Sequence, residues 1–263
     1  MAPQADSSGV KVTLFLEVVS SWCFHTEAAW DEVRQRFATA ATFDWRIALM
    51  EPTAYPATRE QADWFYRRSG TIVGAQWILN SGWLGSRTSD GFVTPNLVAE
   101  AARSLGAGDD RVRRAIANAA LRDGKPVGDL EVAVAIANEA SGLDRETLHA
   151  ATRSPQIRAT VEASTREFHA IGATQRPTWV IESEIGDRAV LSGMWRTAAV
   201  IAVLEATIAD VRAYRSHAAH FGVAPDGSLR GADERHLPRP RVPQGAASSQ
   251  RRDPDFRTIL NRV

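Results

Sequence analysis

From Thr58 to Gly172 nearly every segment of the chain carries helix punctuation, and strand signals stand on either side of that stretch. This order constrains the fold more than any single motif. A sheet has to be assembled from the two ends of the chain, and the helices between them have to pack beside it as an insertion. At the front, KVTLFLEVV (residues 11–19) is β-branched and apolar and stops at Ser20-Ser21. Residues 21–38 predict a helix, with Ala29, Trp30, Val33 and Phe37 at helical spacing and Ser20 or Ser21 as N-cap. ATFDWRIALM (41–50) predicts a second strand, so residues 11–50 form a βαβ unit with a right-handed crossover. At the back, RPTWVIES (176–183) and RAVLSG (188–193) predict a hairpin, and residues 195–221 a closing helix.

Inside the helical stretch the stops and starts follow capping chemistry. Thr58 with Gln61 predicts a capping box. Thr94-Pro95 opens a helix that Gly106 closes, and Asp109 or Asp110 opens one that Gly124 ends. Asp129, Asp144 and Ser154-Pro155 start three more, the last with Ile157, Val161, Phe168 and Ile171 near one face and Gly172 as its stop.

Composition narrows the partners. The chain has 263 residues, 44% apolar and 24% charged, with formal net charge zero. Those are the values of a globular protein, and no global field points to nucleic acid or to an anionic membrane. The apolar run Val12–Val19 is interrupted by Glu17 and is too short to span a bilayer. A single cysteine, Cys23, excludes an internal disulfide. With a first segment, MAPQADSSGVKV, that does not read as a secretory signal, a cytoplasmic protein is expected. Residues 230–263 hold eight Arg against four acidic residues, net +4, and LPRPRVP cannot build a core. Residues 222–263 are therefore read as an arm that orders on contact or stays partly disordered, with a partner-binding segment as the alternative.

Three stretches make the plan specific: SSWC (20–23) on the turn after the first strand, GATQRPTWVIE (172–182) and LSGMWRTAAVIAVLE (191–205). Together they resemble the DsbA-like thioredoxin-fold family over about residues 11–210. The resemblance implies an α/β, thioredoxin-like fold with an inserted all-helical lid domain. Residues 11–55 and 172–212 would make the thioredoxin-like domain and 56–171 the insertion. Pro177 takes the place of the family's cis-proline. Disulfide oxidoreductases of the family carry Cys at the first turn position. Kappa-class glutathione transferases and 2-hydroxychromene-2-carboxylate isomerases carry Ser there, as this chain does at Ser20; FrnE-type disulfide isomerases are further relatives.

The turn has its own physics. A helix N-terminus offers unpaired N–H groups and a positive dipole end, which stabilise an anion such as a thiolate. With Ser20 at the first position, that anion is implied to be a bound cofactor thiolate, with glutathione the donor suggested by the resemblance. The plainer reading of Ser20 is an N-cap worth about 1 kcal/mol. Cys23 is either a small buried hydrophobe or a monothiol redox centre. Arg176 and Pro177 would present backbone to the cofactor, with Arg176 either reaching a carboxylate or sitting on the surface. Met194 and Trp195 fall in the remaining cofactor position, a departure from relatives that place a small polar and an acidic residue there.

In the insertion, DWFYRRSG and WILNSGW bring unusual residues. Tyr66, Arg67, Arg68, Trp77, Asn80 and Trp83, with Trp22 of the turn, could line an aromatic and cationic substrate cleft; lid core plus solvated arginines is the alternative. The six histidines are scattered without metal spacing, so no metal is expected, and His25 near the turn could tune a thiol. The expected function is a thiol-dependent, glutathione-using transferase or isomerase acting on a small apolar molecule, and the resemblance leaves room for a homodimer. The alternatives are a monothiol disulfide oxidoreductase or isomerase working through Cys23 and a non-catalytic thioredoxin-like binding module.

Overall fold

The computed structural model describes residues 9–85 and 92–222. Met1–Ala218 falls in one compact unit; of the second, Ala219–Val263, only 219–222 are described, so the reading of the arm lies outside the described residues. The elements are β1 (Val10–Leu16), α1 (Ser21–Arg36), β2 (Thr42–Ile47), α2 (Arg59–Val73), α3 (Thr94–Ser104), α4 (Arg111–Leu121), α5 (Leu130–Ser141), α6 (Arg145–Thr152), α7 (Pro155–Ala170), β3 (Thr178–Ser183), β4 (Arg188–Ser192) and α8 (Thr197–Phe221). Short 3₁₀ turns lie at Pro52–Ala54 and Gly82–Gly85.

The sheet has the order β2-β1-β3-β4. β1 runs parallel to β2, from Lys11 opposite Thr42 to Leu16 opposite Ile47. β3 is antiparallel to both β1 and β4. This is the thioredoxin-like arrangement, with α2–α7 inserted between β2 and β3. β1 is central and buried on both faces. Val12, Leu14 and Leu16 join a core with Trp30 of α1 and Val200 and Leu204 of α8, while Phe15 packs with Phe168 of α7. Burial on both sides explains why β1 reads as a continuous apolar run rather than an alternating one.

Strand ends are shorter than the sequence pattern suggests, and contacts from elsewhere in the chain explain both. β1 stops at Leu16 because Glu17 and Val18 turn to meet Asn96 of α3. β2 stops at Ile47; the carbonyls of Ala48 and Leu49 accept from the Arg176 guanidinium instead.

The caps behave as capping chemistry requires, with three exceptions. α3 begins at Thr94 behind Val93, whose side chain has no polar atom to cap with, so Thr94-Pro95 opens the helix from inside its first turn. Thr58 Oγ1 accepts from Gln61 N at 3.1 Å, but Gln61 Oε1 reaches back to Ala57 N at 2.7 Å, one residue before the N-cap. Asp110 stands at the N-cap of α4 and makes no cap bond. Its buried carboxylate accepts from Trp30 Nε1 at 3.0 Å and Arg113 Nε at 2.9 Å, and it also pairs with Arg34. It ties α1 to the insertion through charges that neutralise one another. Ser154 caps α7 through Ile157 N at 3.3 Å. Ser154→Ala is expected to cost about 1 kcal/mol in urea unfolding, with helical content nearly unchanged.

Candidate functional site

Ser20 is the N-cap of α1, in extended backbone, and its Oγ accepts from Cys23 N at 3.4 Å. It follows three residues after Glu17, which ends the apolar run of β1. Only 6% of the Ser20 surface is exposed. The Arg176–Pro177 peptide bond is cis. Phe15 pairs with Thr178, so Pro177 stands level with Leu16, at the end of the sheet where β1 gives way to the turn. Gly193 N donates to Pro177 O at 2.8 Å. Gly193 has φ +71°, and a Cβ there would lie 3.1 Å from Gln175 Cβ, so a side chain is disfavoured twice.

Cys23 is free and buried. Burial pushes its thiol up to about 12, outweighing hydrogen bonds from the Glu17 backbone and the Ser20 side chain. Glu17 N donates to its Sγ at 3.4 Å. Burial opposes the thiolate here, which favours the packing role of Cys23 over a nucleophilic one.

Beneath the turn sits a carboxyl that sequence reading did not single out. Glu17 is fully buried. Its Oε1 accepts from Asn96 Nδ2 at 2.6 Å and Tyr55 Oη at 3.2 Å, and its Oε2 from Val19 N at 3.1 Å. Asn96 Oδ1 in turn accepts from Val18 N at 3.0 Å, so one residue of α3 grips the turn at two places. Burial raises the Glu17 pKa to about 7, although all three donors and the Arg176 charge pull it down. The signal for Glu17 was available: a lone carboxylate inside LFLEVV has to be solvated by something. Nothing local points to Asn96 or Tyr55.

A protein-family profile, the DSBA-like thioredoxin domain, matches residues 11–208. The chain belongs to the DSBA-like thioredoxin domain family. No curated protein matches it. Among solved structures of the fold, a putative protein disulfide isomerase from Nitrosomonas europaea is similar at 16% identity and TM-score 0.57, covering 80% of this chain and 98% of that one. The cytosolic disulfide reductase DsbM from Pseudomonas aeruginosa aligns at 18% identity and TM-score 0.55 over 78% of this chain and 98% of that one. The same protein with GSH aligns at TM-score 0.54 and 18% identity, over 78% of this chain and 99% of that one. At these identities the likeness is one of fold.

Within that fold the remaining expected site residues separate. Arg176 is half-buried; its Nε donates to Ala48 O at 2.7 Å, and its guanidinium lies 4.2 Å from the centre of the Phe168 ring. Its hydrogen bonds go to the backbone carbonyls of Ala48 and Leu49 rather than to a carboxylate. Met194 O accepts from Trp179 Nε1 at 2.8 Å, and Trp195 tilts against Trp22 with ring centres 6.3 Å apart.

The single aromatic cleft expected in the insertion is not what forms. Tyr66 and Trp83 are buried against each other, with Trp83 Nε1 donating to Tyr66 Oη at 2.7 Å. Burial also raises the Tyr66 phenol pKa. Asn80 serves a turn: its Oδ1 accepts from Gly82 N at 2.8 Å and its backbone N donates to Leu121 O at 2.8 Å. Arg67 lines a depression beside Trp64, and Arg68 sits over the Trp64 ring, 6.0 Å from its centre. Of the proposed lining, Trp77 reaches a groove that it shares with Phe24, His25 and Trp195 of the expected cofactor position, and Trp22 borders that groove through Trp195. Burial lowers the His25 pKa. Among the described residues no group of His, Cys, Asp and Glu could hold a metal, and no helix is long and apolar enough to cross a membrane.

Proposed function

We propose that the chain is a thiol-dependent transferase or isomerase in which a bound thiol, glutathione first, replaces the cysteine that oxidoreductases carry at Ser20. The observation that carries this reading is the pairing of roles at the turn. Ser20 holds the helix N-terminus beside the cis-proline loop, while Cys23 is walled in with its pKa raised to about 12. The helix end can favour a thiolate, and the chain's own thiol is poorly placed to supply one. The solved structure of DsbM with GSH supports trying glutathione before other thiols. The Ser20 hydroxyl would donate to the cofactor sulfur, and Pro177 would shape the backbone against it. The thiolate would attack a small apolar electrophile, and the leaving group would depart with the bonding pair. A cytoplasmic setting, where thiols stay reduced, belongs to the same proposal.

The test is calorimetric titration with glutathione, followed by ultraviolet titration of the bound thiolate. Glutathione is expected to bind with its thiol pKa lowered from about 8.5. Ser20→Ala is expected to raise that pKa by about one unit and to cut conjugation of 1-chloro-2,4-dinitrobenzene about tenfold. The fold should lose only about 1 kcal/mol, the worth of a cap. A variant that melts lower while thiolate pKa and turnover stay put would reduce Ser20 to a cap. Absence of glutathione uptake would leave the non-catalytic binding module as the better reading.

A further inference from the structure

A separate pocket of about 370 Å³ lies between β2, α3 and α7. Arg46 of β2, Glu100 and Arg103 of α3, and Thr160, Ser164 and Glu167 of α7 line it, and no residue of the Ser20 turn does. Both arginines are already engaged. Arg103 donates to Asp44 Oδ1 at 2.8 Å and to Trp45 O, while Arg46 pairs with Glu167 and lies 3.7 Å from Asp44. Asp44 and Glu167 thus neutralise Arg46 and Arg103, and the charge left over is that of Glu100. Glu100 is only 9% exposed, and its carboxylate takes part in no hydrogen bond and no ion pair among the described residues. Burial raises its pKa, although the charges of Arg103 and Arg46 oppose that. A carboxylate placed so deep without a donor carries a cost that a bound cation would offset.

The two hydroxyls define the kind of cation. Thr160 Oγ1 donates to Gln156 O at 3.0 Å, and Ser164 Oγ donates to Ile47 O. With each proton committed to a backbone carbonyl, both oxygens have only lone pairs to offer a ligand. One carboxylate and two hydroxyl oxygens make an accepting surface, the complement of a primary ammonium group with its three N–H donors. No aromatic ring lines the pocket, so it lacks what a quaternary ammonium requires. The only other carboxylate in its wall, Glu167, is held by Arg46, so the donor set falls short of a metal site. The volume is at the small end for ligand sites and suits a short aliphatic chain.

We infer that this pocket binds a small primary alkylammonium ion, its ammonium group against Glu100, Thr160 and Ser164. The site goes beyond the thiol reading and uses none of the residues on which that reading rests.

The test is an NMR titration of the full, ¹⁵N-labelled chain in amine-free buffer at physiological salt, with four probes: butylammonium, tetramethylammonium, 1-butanol and butyrate. Butylammonium is expected to saturate, with amide shifts concentrated in α3 and α7, and to bind at least tenfold more tightly than each of the others. Glu100→Gln should weaken it at least tenfold. Thr160→Val, at an exposed hydroxyl that the fold can spare, should weaken it about threefold and leave the circular dichroism spectrum unchanged. That second variant decides the matter should Glu100→Gln fold poorly. No saturation with butylammonium up to tens of millimolar, or butyrate or tetramethylammonium binding as tightly, overturns the inference. So does butylammonium affinity that survives both substitutions. Glutathione is absent throughout and Ser20 is untouched, so failure here leaves the thiol reading standing, and failure of the thiol reading leaves this pocket standing.

Discussion

Ser20→Cys is expected to turn a chain that cannot form an internal disulfide into a dithiol oxidoreductase. The native chain has one thiol, Cys23, and two-electron exchange needs two. Ser20 Oγ already accepts from Cys23 N at 3.4 Å, and the Ser20 side chain acts to lower the Cys23 thiol pKa against its burial. A sulfur at position 20 would complete the family's Cys-x-x-Cys spacing on the turn. It would sit at the helix end as the attacking thiolate, with Cys23 as the resolving thiol. A substrate disulfide would gain two electrons and leave as two thiols, and the pair would become a disulfide. Insulin reduction with dithiothreitol should rise at least tenfold over the native chain, whose own rate should match the uncatalysed one. Oxidised Ser20→Cys protein should show no free thiol. Two thiols persisting in oxidant would mean that the turn is not built like the family's. Rapid insulin turnover by the native chain, lost in Cys23→Ala, would promote the monothiol reading over the bound-thiol one.

The second large effect is a stability profile that runs against the usual direction for a carboxyl. Most structural carboxylates are stabilised ionised, and the fold gains as pH rises. Glu17 is the opposite case: its folded pKa is about 7 against a model value of 4.5. Between those two values the native state holds a proton that the unfolded chain has released. The stabilising share of this group is full below about pH 4.5, falls as pH rises, and is gone above about 7. The expected loss is about 3 kcal/mol, from the shift at 1.36 kcal/mol per unit. Urea unfolding of the native chain and Glu17→Gln across pH 4.5–8 isolates it, because the other titrating groups cancel in the difference. The difference should change by that amount across the window. A flat difference would show that Glu17 is solvated better than its burial implies.

The sequence by itself determined the order of elements, the placement of most caps and the family. Each of these is written locally. Helix starts depend on one side chain reaching N–H groups two or three residues away, as at Ser20, Thr58, Asp129, Asp144 and Ser154. Strands depend on runs of apolar side chains, and the proline loop and Gly193 depend on backbone conformations that few residues adopt. That is why SSWC and GATQRPTWVIE were enough to place the turn and the cis bond.

What only the tertiary structure decided is which side chains meet and how far each lies from water. Asn96 reaches Glu17 across 79 positions of sequence, and no periodicity encodes that partner. The reactivity of Cys23 depends on burial by elements that the SSWC motif does not contain. Tyr66, Trp77 and Trp83 share one segment, yet the packing of that segment sends Tyr66 and Trp83 into the core and leaves Trp77 at the groove. Phe24 reads as an ordinary helix position and His25 as a neighbour of the turn; the packing of α2, α4 and the start of α8 is what brings them onto one surface. Local pattern fixes how each element forms. The rotation and offset of one helix against another come from packing summed over the whole core, and they alone decide which residues share a surface.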